Sequence, residues 1–292
     1  MNQEIKTVII PLAGLGTRFL PLSKVISKEF FPIVDKPVIQ YIIQEAKDSG
    51  IAEVVFIINS SQKMILSYFK KSEKLEKELT KKNKEGLLKE LKDFEAIFDG
   101  VTVHFIIQKK PLGDGHAILQ AAKFAEKGPV GVLFADDIVD SESPALAQLI
   151  EIYKTCDSPV MALKKLPKEK LSAYGVVGIE KIASRLYKVK DIAEKPSPEE
   201  ILSDLVVVGK YVLTPEVFEY LKKAKPSKRG EIILADTFRT MLNDGKVLYG
   251  FEFKGEWLEC GDKEKWLKSF MYFSMRDPRY GAMLKKYLKE IS

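Results

Sequence analysis

Cysteine, histidine and tryptophan are scarce in this chain, with two of each among 292 residues. Two cysteines, Cys156 and Cys260, cannot build a disulfide framework. His104 and His116, without an H-E-x-x-H or Cys-x-x-Cys pattern, do not supply the ligands of a zinc site. Long apolar runs are also missing. No stretch approaches the roughly 18 apolar residues that a membrane-spanning helix needs. The opening segment, Met1 to Lys6, is polar and charged and lacks the core of a signal peptide. These absences lead to the expectation of a cytoplasmic protein with no membrane partner.

Charge of one sign is only modestly in excess: 47 Lys and Arg against 41 Asp and Glu, a net +6. The cations are interleaved with glutamates rather than gathered with stacking aromatics, so no nucleic-acid partner is expected. Small phosphorylated ligands remain compatible with such a balance. Apolar residues at 46% and aromatics at 10% suit a well-filled core. The length fits one α/β domain with an insertion.

What is present is an alternation of strand and helix signals. Thr7 to Ile10 and Val54 to Ile58 are unbroken apolar runs, as in strands covered by helices on both faces. Between them Ile39, Ile42, Ile43 and Ala46 share one helical face, and Gly50 follows as a stop. Residues 70–98 read as a charged helical hairpin, with Glu four residues before Lys at Glu73/Lys77, Glu78/Lys82 and Glu85/Lys89. Alternation resumes with strands near 101–108, 130–134 and 160–165, a single helix over 116–125 between the first two, then closer-spaced strands from Gly175 onward. The expected fold is α/β: a doubly wound, mostly parallel mixed sheet in a single domain spanning 1–292. A helical insertion is expected at about 62–99 and a C-terminal helical extension at about 263–292.

Three segments carry chemistry. Gly14-Leu15-Gly16-Thr17-Arg18 follows the first strand directly, where glycines let backbone amides approach an anion. A dinucleotide fingerprint would need a third glycine where Phe19 stands, and Pro21 opposes an immediate helix. No P-loop pattern occurs. Asp136 and Asp137 close the strand at 130–134, where a carboxylate can hold Mg²⁺ against a triphosphate. Glu194-Lys195-Pro196 offers an acceptor beside a cation, as a phosphorylated sugar requires. Taken singly, each has a plainer reading: a turn for the glycine loop, a helix cap or turn for the aspartates, and a solvated surface turn for the Glu-Lys pair.

Together they carry a resemblance. The segment PLAGLGTRFLPLSKVISKEFFPIVDKPVIQYII, continued in order by QKKPLGDGHAI, LFADDIVD, AYGVVGI, IAEKP, GKYVLTPEVFEYL, GEIILADTFRTML and WLECGDKEKWL, resembles the sugar-phosphate nucleotidyltransferases. The likeness spans nearly the whole chain and implies a Rossmann-like nucleotidyltransferase fold. It implies transfer of a uridylyl group from UTP to glucose 1-phosphate with Mg²⁺, giving UDP-glucose and pyrophosphate, by a homodimer or homotetramer. Thymidylyl transfer, another sugar 1-phosphate and a non-catalytic nucleotide-sugar-binding regulator are the alternatives.

Roles follow by position. Leu12, Ala13 and Gly14 would line the base and ribose, while Gly16, Thr17 and Arg18 would hold the triphosphate. Arg18 and Lys28 would stabilise departing pyrophosphate, Gln108 and Gly113 would read the pyrimidine, and Asp136 would lie beside the ribose. Asp137 and Glu259 would ligate Mg²⁺, with Asp137 counted among the catalytic groups. Gly175, Glu194 and Lys195 would bind the sugar phosphate, Lys195 on its phosphate. The chain departs from the family pattern at Asp114, where leucine is usual, at Glu259, where aspartate is usual, and at Ile233 and Ala235, where glutamine and threonine are usual.

Overall fold

The computed structural model describes residues 4–60, 62–228 and 230–291; Met1 to Gln3 of the polar opening segment and Ser292 of the C-terminal extension lie outside them. The elements in chain order begin with β1 (Thr7–Pro11), the short hairpin β2 (Pro32–Ile33) and β3 (Lys36–Pro37), α1 (Val38–Asp48) and β4 (Glu53–Ile58). Three helices follow, α2 (Lys63–Tyr68), α3 (Glu73–Lys81) and α4 (Glu85–Glu95), then β5 (Thr102–Ile107), α5 (Asp114–Leu119) and α6 (Ala122–Ala125). Next come β6 (Val130–Leu133), β7 (Asp137–Asp140), α7 (Ala145–Cys156), β8 (Val160–Lys165), β9 (Gly175–Ala183), β10 (Leu186–Glu194) and β11 (Leu205–Leu213). The chain continues through α8 (Pro215–Lys223), α9 (Leu234–Asn243), β12 (Tyr249–Glu252) and β13 (Glu256–Glu259) to α10 (Lys263–Arg276) and α11 (Gly281–Ile291).

Nine strands form one sheet in the order β5-β4-β1-β6-β11-β8-β12-β10-β9. The first four pair in parallel, as strands separated by helical crossovers must. From β11 onward the pairings turn antiparallel, except β12 beside β8, because the closely spaced strands β9 and β10 return by a tight turn. Alternation sorts the apolar runs to the two faces. Val8, Ile10, Val54, Phe56 and Ile58 join α1 and α7 in one core, while Ile9, Val55 and Ile57 join α5, α8 and α9 in the other. The predicted single helix at 116–125 is broken into α5 and α6. The charged hairpin is α3 and α4; no residue of α3 is buried, and the ion pairs Glu73–Lys77 and Glu78–Lys82 lie at 3.9 and 3.7 Å.

One buried charge interrupts this pattern. Lys210 lies on the same face of β11 as Val208 and Val212, fully buried, with its Nζ 2.6 Å from Glu45 Oε2 on α1. Glu45 Oε1 accepts from Leu146 N at the first turn of α7. The pair thus joins sheet, α1 and α7 behind the strand ends that carry the site.

Candidate active site

The loop after β1 is held by its neighbours before any ligand arrives. Leu12 N donates to Ile57 O at 2.7 Å, extending the β1–β4 ladder, and Gln62 Nε2 donates to Leu12 O and to Ser27 Oγ. Gly16 reverses the chain at φ 62°, and Thr17–Phe19 then forms one 3₁₀ turn whose Phe19 packs edge-on against Phe31. The result is a cavity of about 500 Å³ at the carboxyl ends of β1 and β6. Leu12, Ala13, Gly14, Thr17, Arg18, Lys28, Gln108, Gly113, Asp114 and Asp136 all stand on its wall, residues drawn from three separate motifs. Gly16 lines the adjoining hollow, also bordered by Gly14 and Lys28.

Lys28 Nζ meets Asp136 Oδ2 at 2.5 Å on the cavity wall. Burial acts to lower the Lys28 ammonium, but the carboxylates of Asp136 and Glu29 outweigh it and hold it up at about 12. Burial likewise acts to raise Asp136, yet Lys28 and then Arg18 hold it below its ordinary value. Both groups are therefore charged at neutral pH. Arg18 Nη1 donates to Gly261 O at 3.3 Å, which turns the guanidinium toward the same point.

The carboxylate that faces this cavity is Asp136; the assignment of Asp137 as the metal-binding and catalytic carboxylate is corrected. Asp137 Oδ1 accepts from Trp257 Nε1 at 2.8 Å and Oδ2 from Gly209 N at 3.0 Å, so its side chain is turned into the fold and is not on the cavity wall. Successive residues of an extended chain point to opposite sides, and here the first of the pair points outward. Burial, then the charges of Asp136 and Glu259, push Asp137 up to about 7.

Glu259 reaches the site through a strand pairing that sequence patterning did not show. β13 pairs antiparallel with β7, setting Glu259 opposite Asp137, and Cys260 N donates to Asp136 O at 2.6 Å. A Cβ on Gly261 would lie 3.0 Å from Glu259 Oε1, 3.2 Å from Asp136 Oδ2 and 3.4 Å from Arg18 Nη1. Glycine at 261 is what allows these three groups to close on one spot. Glu259 also accepts from Tyr174 Oη at 2.6 Å and Lys265 Nζ at 2.8 Å, so its longer side chain is held in place. Cys260, buried beside it, has its thiol pushed up to about 12 by burial, which removes it as a nucleophile.

Among the described residues, no three His, Cys, Asp or Glu side chains gather as a metal cage. Two carboxylates, Asp136 and Glu259, do converge beside Gly261. That donor set fits Mg²⁺, which typically takes one or two carboxylates and completes its shell with water and phosphate oxygens.

The loop after β5 is equally constrained. Gln108 is buried, and its Nε2 lies 2.7 Å from His116 Nδ1. With the His116 proton on Nε2, the ring accepts from the amide and leaves Gln108 Oε1 as an acceptor. Gly113 sits at φ 101°, and a Cβ there would meet Ile232 O at 2.4 Å. The segment before α9 is clasped to this loop by Ile232 N to Leu112 O, Gly115 N to Ile232 O and Leu234 N to Asp114 Oδ1. The departure at Asp114 therefore has a structural consequence, since its carboxylate also accepts from Gly115 N at 2.7 Å.

Burial, opposed by these two amides and assisted by the charge of Glu194, pushes Asp114 up to about 6. The folded chain thus binds this proton more tightly than the unfolded chain. Ionisation costs stability: nothing below about pH 4, where both states are protonated, and the full amount above about pH 6. Asp114→Asn, which can keep the Oδ1 acceptor, is expected to stabilise the protein by about 1–3 kcal/mol at pH 8 and by little at pH 4. Urea denaturation at the two pH values measures this; equal or lower stability at pH 8 contradicts it.

Gly175, Glu194 and Lys195 meet at the paired ends of β9 and β10, beside the cavity rather than on its wall. Glu194 Oε2 lies 3.1 Å from where a Gly175 Cβ would stand, and Lys195 Nζ is 3.6 Å from Glu194 Oε1. Burial raises Glu194 above its ordinary value, and Asp236 adds to this, while Lys195 opposes it. Lys195 N donates to Tyr174 O, and Tyr174 Oη reaches Glu259, which ties this group to the carboxylate site.

His116, Tyr174, Trp257, Lys265 and Lys210 were not among the sequence-derived site residues. Lys210 had a signal, a lone cation inside the apolar run LVVVGKYVL, which calls for a buried partner. His104, by contrast, pairs with Glu53 at 3.0 Å, away from the cavity. A larger groove of about 890 Å³ between the α3–α4 hairpin and Arg279 is walled by Leu75, Leu79, Leu87 and Phe94 and brings together no comparable set of anion-binding groups.

A profile of the nucleotidyl transferase family matches residues 7–274. A protein of Staphylococcus haemolyticus named UTP–glucose-1-phosphate uridylyltransferase is 36% identical over 289 residues, covering 99% of both chains. A crystal structure of a UDP-glucose pyrophosphorylase complexed with UDP-glucose is similar at 34% identity with a TM-score of 0.83, covering 92% of this chain and 98% of that one. A UTP-bound enzyme of the same name from Acinetobacter baumannii is similar at 31% identity with a TM-score of 0.90, covering 99% and 100%.

Proposed function

This chain belongs to the nucleotidyl transferase family, and we propose from that premise that it transfers the uridylyl group of UTP to glucose 1-phosphate, yielding UDP-glucose and pyrophosphate. The observation that carries the reading is the meeting of Arg18, Lys28 and Asp136 on the wall of the nucleotide-sized cavity, with Glu259 beside them at Gly261. The sugar phosphate is already an anionic nucleophile, so neither a covalent intermediate nor a general base is needed. The barrier lies in bringing two polyanions together and in the charge that builds on pyrophosphate. Fixed cations lower both by positioning and electrostatics.

In this reading the Gly14–Arg18 loop presents backbone amides to the triphosphate. Arg18 and Lys28 receive the leaving pyrophosphate, Gln108 Oε1 accepts from the pyrimidine ring N–H, and Glu194 and Lys195 hold the sugar phosphate. Asp136 and Glu259 would hold Mg²⁺, which when bound supplies charge neutralisation at the phosphates. The whole chain acts as one domain, the sheet running unbroken from β5 to β9. A cytoplasmic location is proposed for the reaction. A homo-oligomer is proposed on the exposed Met283, Tyr287 and Ile291, which share one face of α11.

The test is a matrix of UTP, dTTP, GTP and CTP against glucose 1-phosphate and other sugar 1-phosphates, scored by pyrophosphate release with Mg²⁺. UTP with glucose 1-phosphate is expected to give the highest kcat/KM. Binding of UTP without turnover in any pairing would overturn the reading in favour of a regulator.

A further inference from the structure

Asp114 is placed on the cavity wall in a way that its structural duty does not require. Its Oδ1 alone takes both amides, Gly115 N at 2.7 Å and Leu234 N at 3.1 Å. Among the described residues no hydrogen bond reaches Oδ2, although the side chain lines the cavity. A neutral amide would hold the same two N–H groups without the cost of enclosing a charge. A carboxylate oxygen that faces the cavity without a protein donor is open to a donor that a ligand brings.

The ligand groups that can bring a donor are few. Phosphate oxygens at neutral pH are predominantly acceptors. The uracil of UTP has one ring N–H, assigned in the reading above to Gln108 Oε1, with Gln108 Nε2 lying 2.7 Å from His116 Nδ1. Hydroxyl groups are left. Asp114 lies close enough to Glu194 to feel its charge, and Glu194 stands at the paired ends of β9 and β10 with Lys195, the group read here as holding the sugar phosphate.

We propose that Asp114 is a specificity-determining residue whose Oδ2 accepts a hydrogen bond from one hydroxyl of the sugar 1-phosphate, so that two carboxylates, Asp114 and Glu194, read the sugar. This rests on the nucleotidyl-transfer reading above. A site that hydrogen-bonds a substrate hydroxyl rejects the analogue lacking it, because its own acceptor is then left unpaired. The enzyme therefore selects fully hydroxylated sugar 1-phosphates over a particular deoxy sugar.

The experiment compares the wild-type enzyme with Asp114→Asn on glucose 1-phosphate and its 2-, 3-, 4- and 6-deoxy analogues, with UTP, 2′-deoxy-UTP and 3′-deoxy-UTP in parallel. The asparagine can keep the Oδ1 contacts, so folding is preserved, and urea denaturation verifies this. For the wild type, one deoxy sugar is expected to lose about 10- to 100-fold in kcat/KM, the range of a hydrogen bond to a charged group. Asp114→Asn should lose a similar factor on glucose 1-phosphate, lose no more on that one analogue, and keep its KM for UTP within about threefold. A sugar profile unchanged by the substitution overturns the proposal. So does a loss that follows the ribose hydroxyls or the base instead. Should the wild-type enzyme turn over no sugar 1-phosphate, the nucleotidyl-transfer reading falls and takes this proposal with it; a flat Asp114→Asn profile on an active enzyme removes this proposal alone.

Discussion

Lys28→Ala is expected to lower kcat by about 10²–10³ while changing the KM for UTP far less. The scale is that of removing one group that acts on charge developing in a transition state. Lys28 is suited to this because its ammonium is enclosed and stays charged, with Asp136 and Glu29 holding it at about 12. It is also fixed in position, with its Nζ at 2.5 Å from Asp136. In the ground state its charge is shared with that carboxylate. As charge builds on pyrophosphate the ammonium has a second, stronger partner, and only this gain accelerates the reaction. Removal would also leave Asp136 without its principal cation and raise its pKa. Lys28→Arg separates the two effects: it retains charge near Asp136 but places a planar fork where a point charge stood. Steady-state pyrophosphate release decides the matter. Activity of Lys28→Ala within a few-fold of wild type would remove Lys28 from the mechanism.

Lys210→Ala is expected to destabilise the fold by about 3–5 kcal/mol, because it strands a buried glutamate without its counter-ion. Lys210 is fully buried and Glu45 nearly so, their charged atoms 2.6 Å apart. Glu45 cannot turn to water without abandoning Leu146 N at the start of α7. The double variant Lys210→Met with Glu45→Gln should recover most of the loss. It deletes both charges and retains an acceptor for that amide. The consequence reaches the site as well, since the neighbouring Gly209 N donates to Asp137 Oδ2 behind Asp136. Urea midpoints of the single and double variants measure both expectations. A loss below about 1 kcal/mol for Lys210→Ala would show that the pair relaxes into solvent.

Much of the fold was legible because it is written in short-range pattern. The unbroken apolar runs of β1 and β4 and the helical spacing of α1 state their own burial, and the Glu-to-Lys spacing of the 70–98 segment stated its exposure. β7 and β13 were not legible. Each has only four residues, too few to show a period of two, and their stability comes from each other across the chain. The break between α5 and α6 was missed for a related reason: nothing local marks it, and the packing of both helices on the sheet decides where the turn falls.

The candidate site divides along the same line. By itself the sequence determined which segments carry chemistry: the glycine loop at Gly14, the carboxylate pair at Asp136, the Glu194–Lys195 couple and their order along a nucleotidyltransferase chain. Only the tertiary structure decided which member of a carboxylate pair faces the cavity. Asp136 looks into the cavity because Trp257, 120 residues away, and Gly209 hold its neighbour Asp137 inside the fold. It likewise decided that Glu259 joins Asp136, and that Asp114 borders the cavity with one oxygen unspent. Local pattern reports what a residue does with its chain neighbours, whereas the direction of a side chain in a cleft is set by partners that only folding brings within hydrogen-bond range.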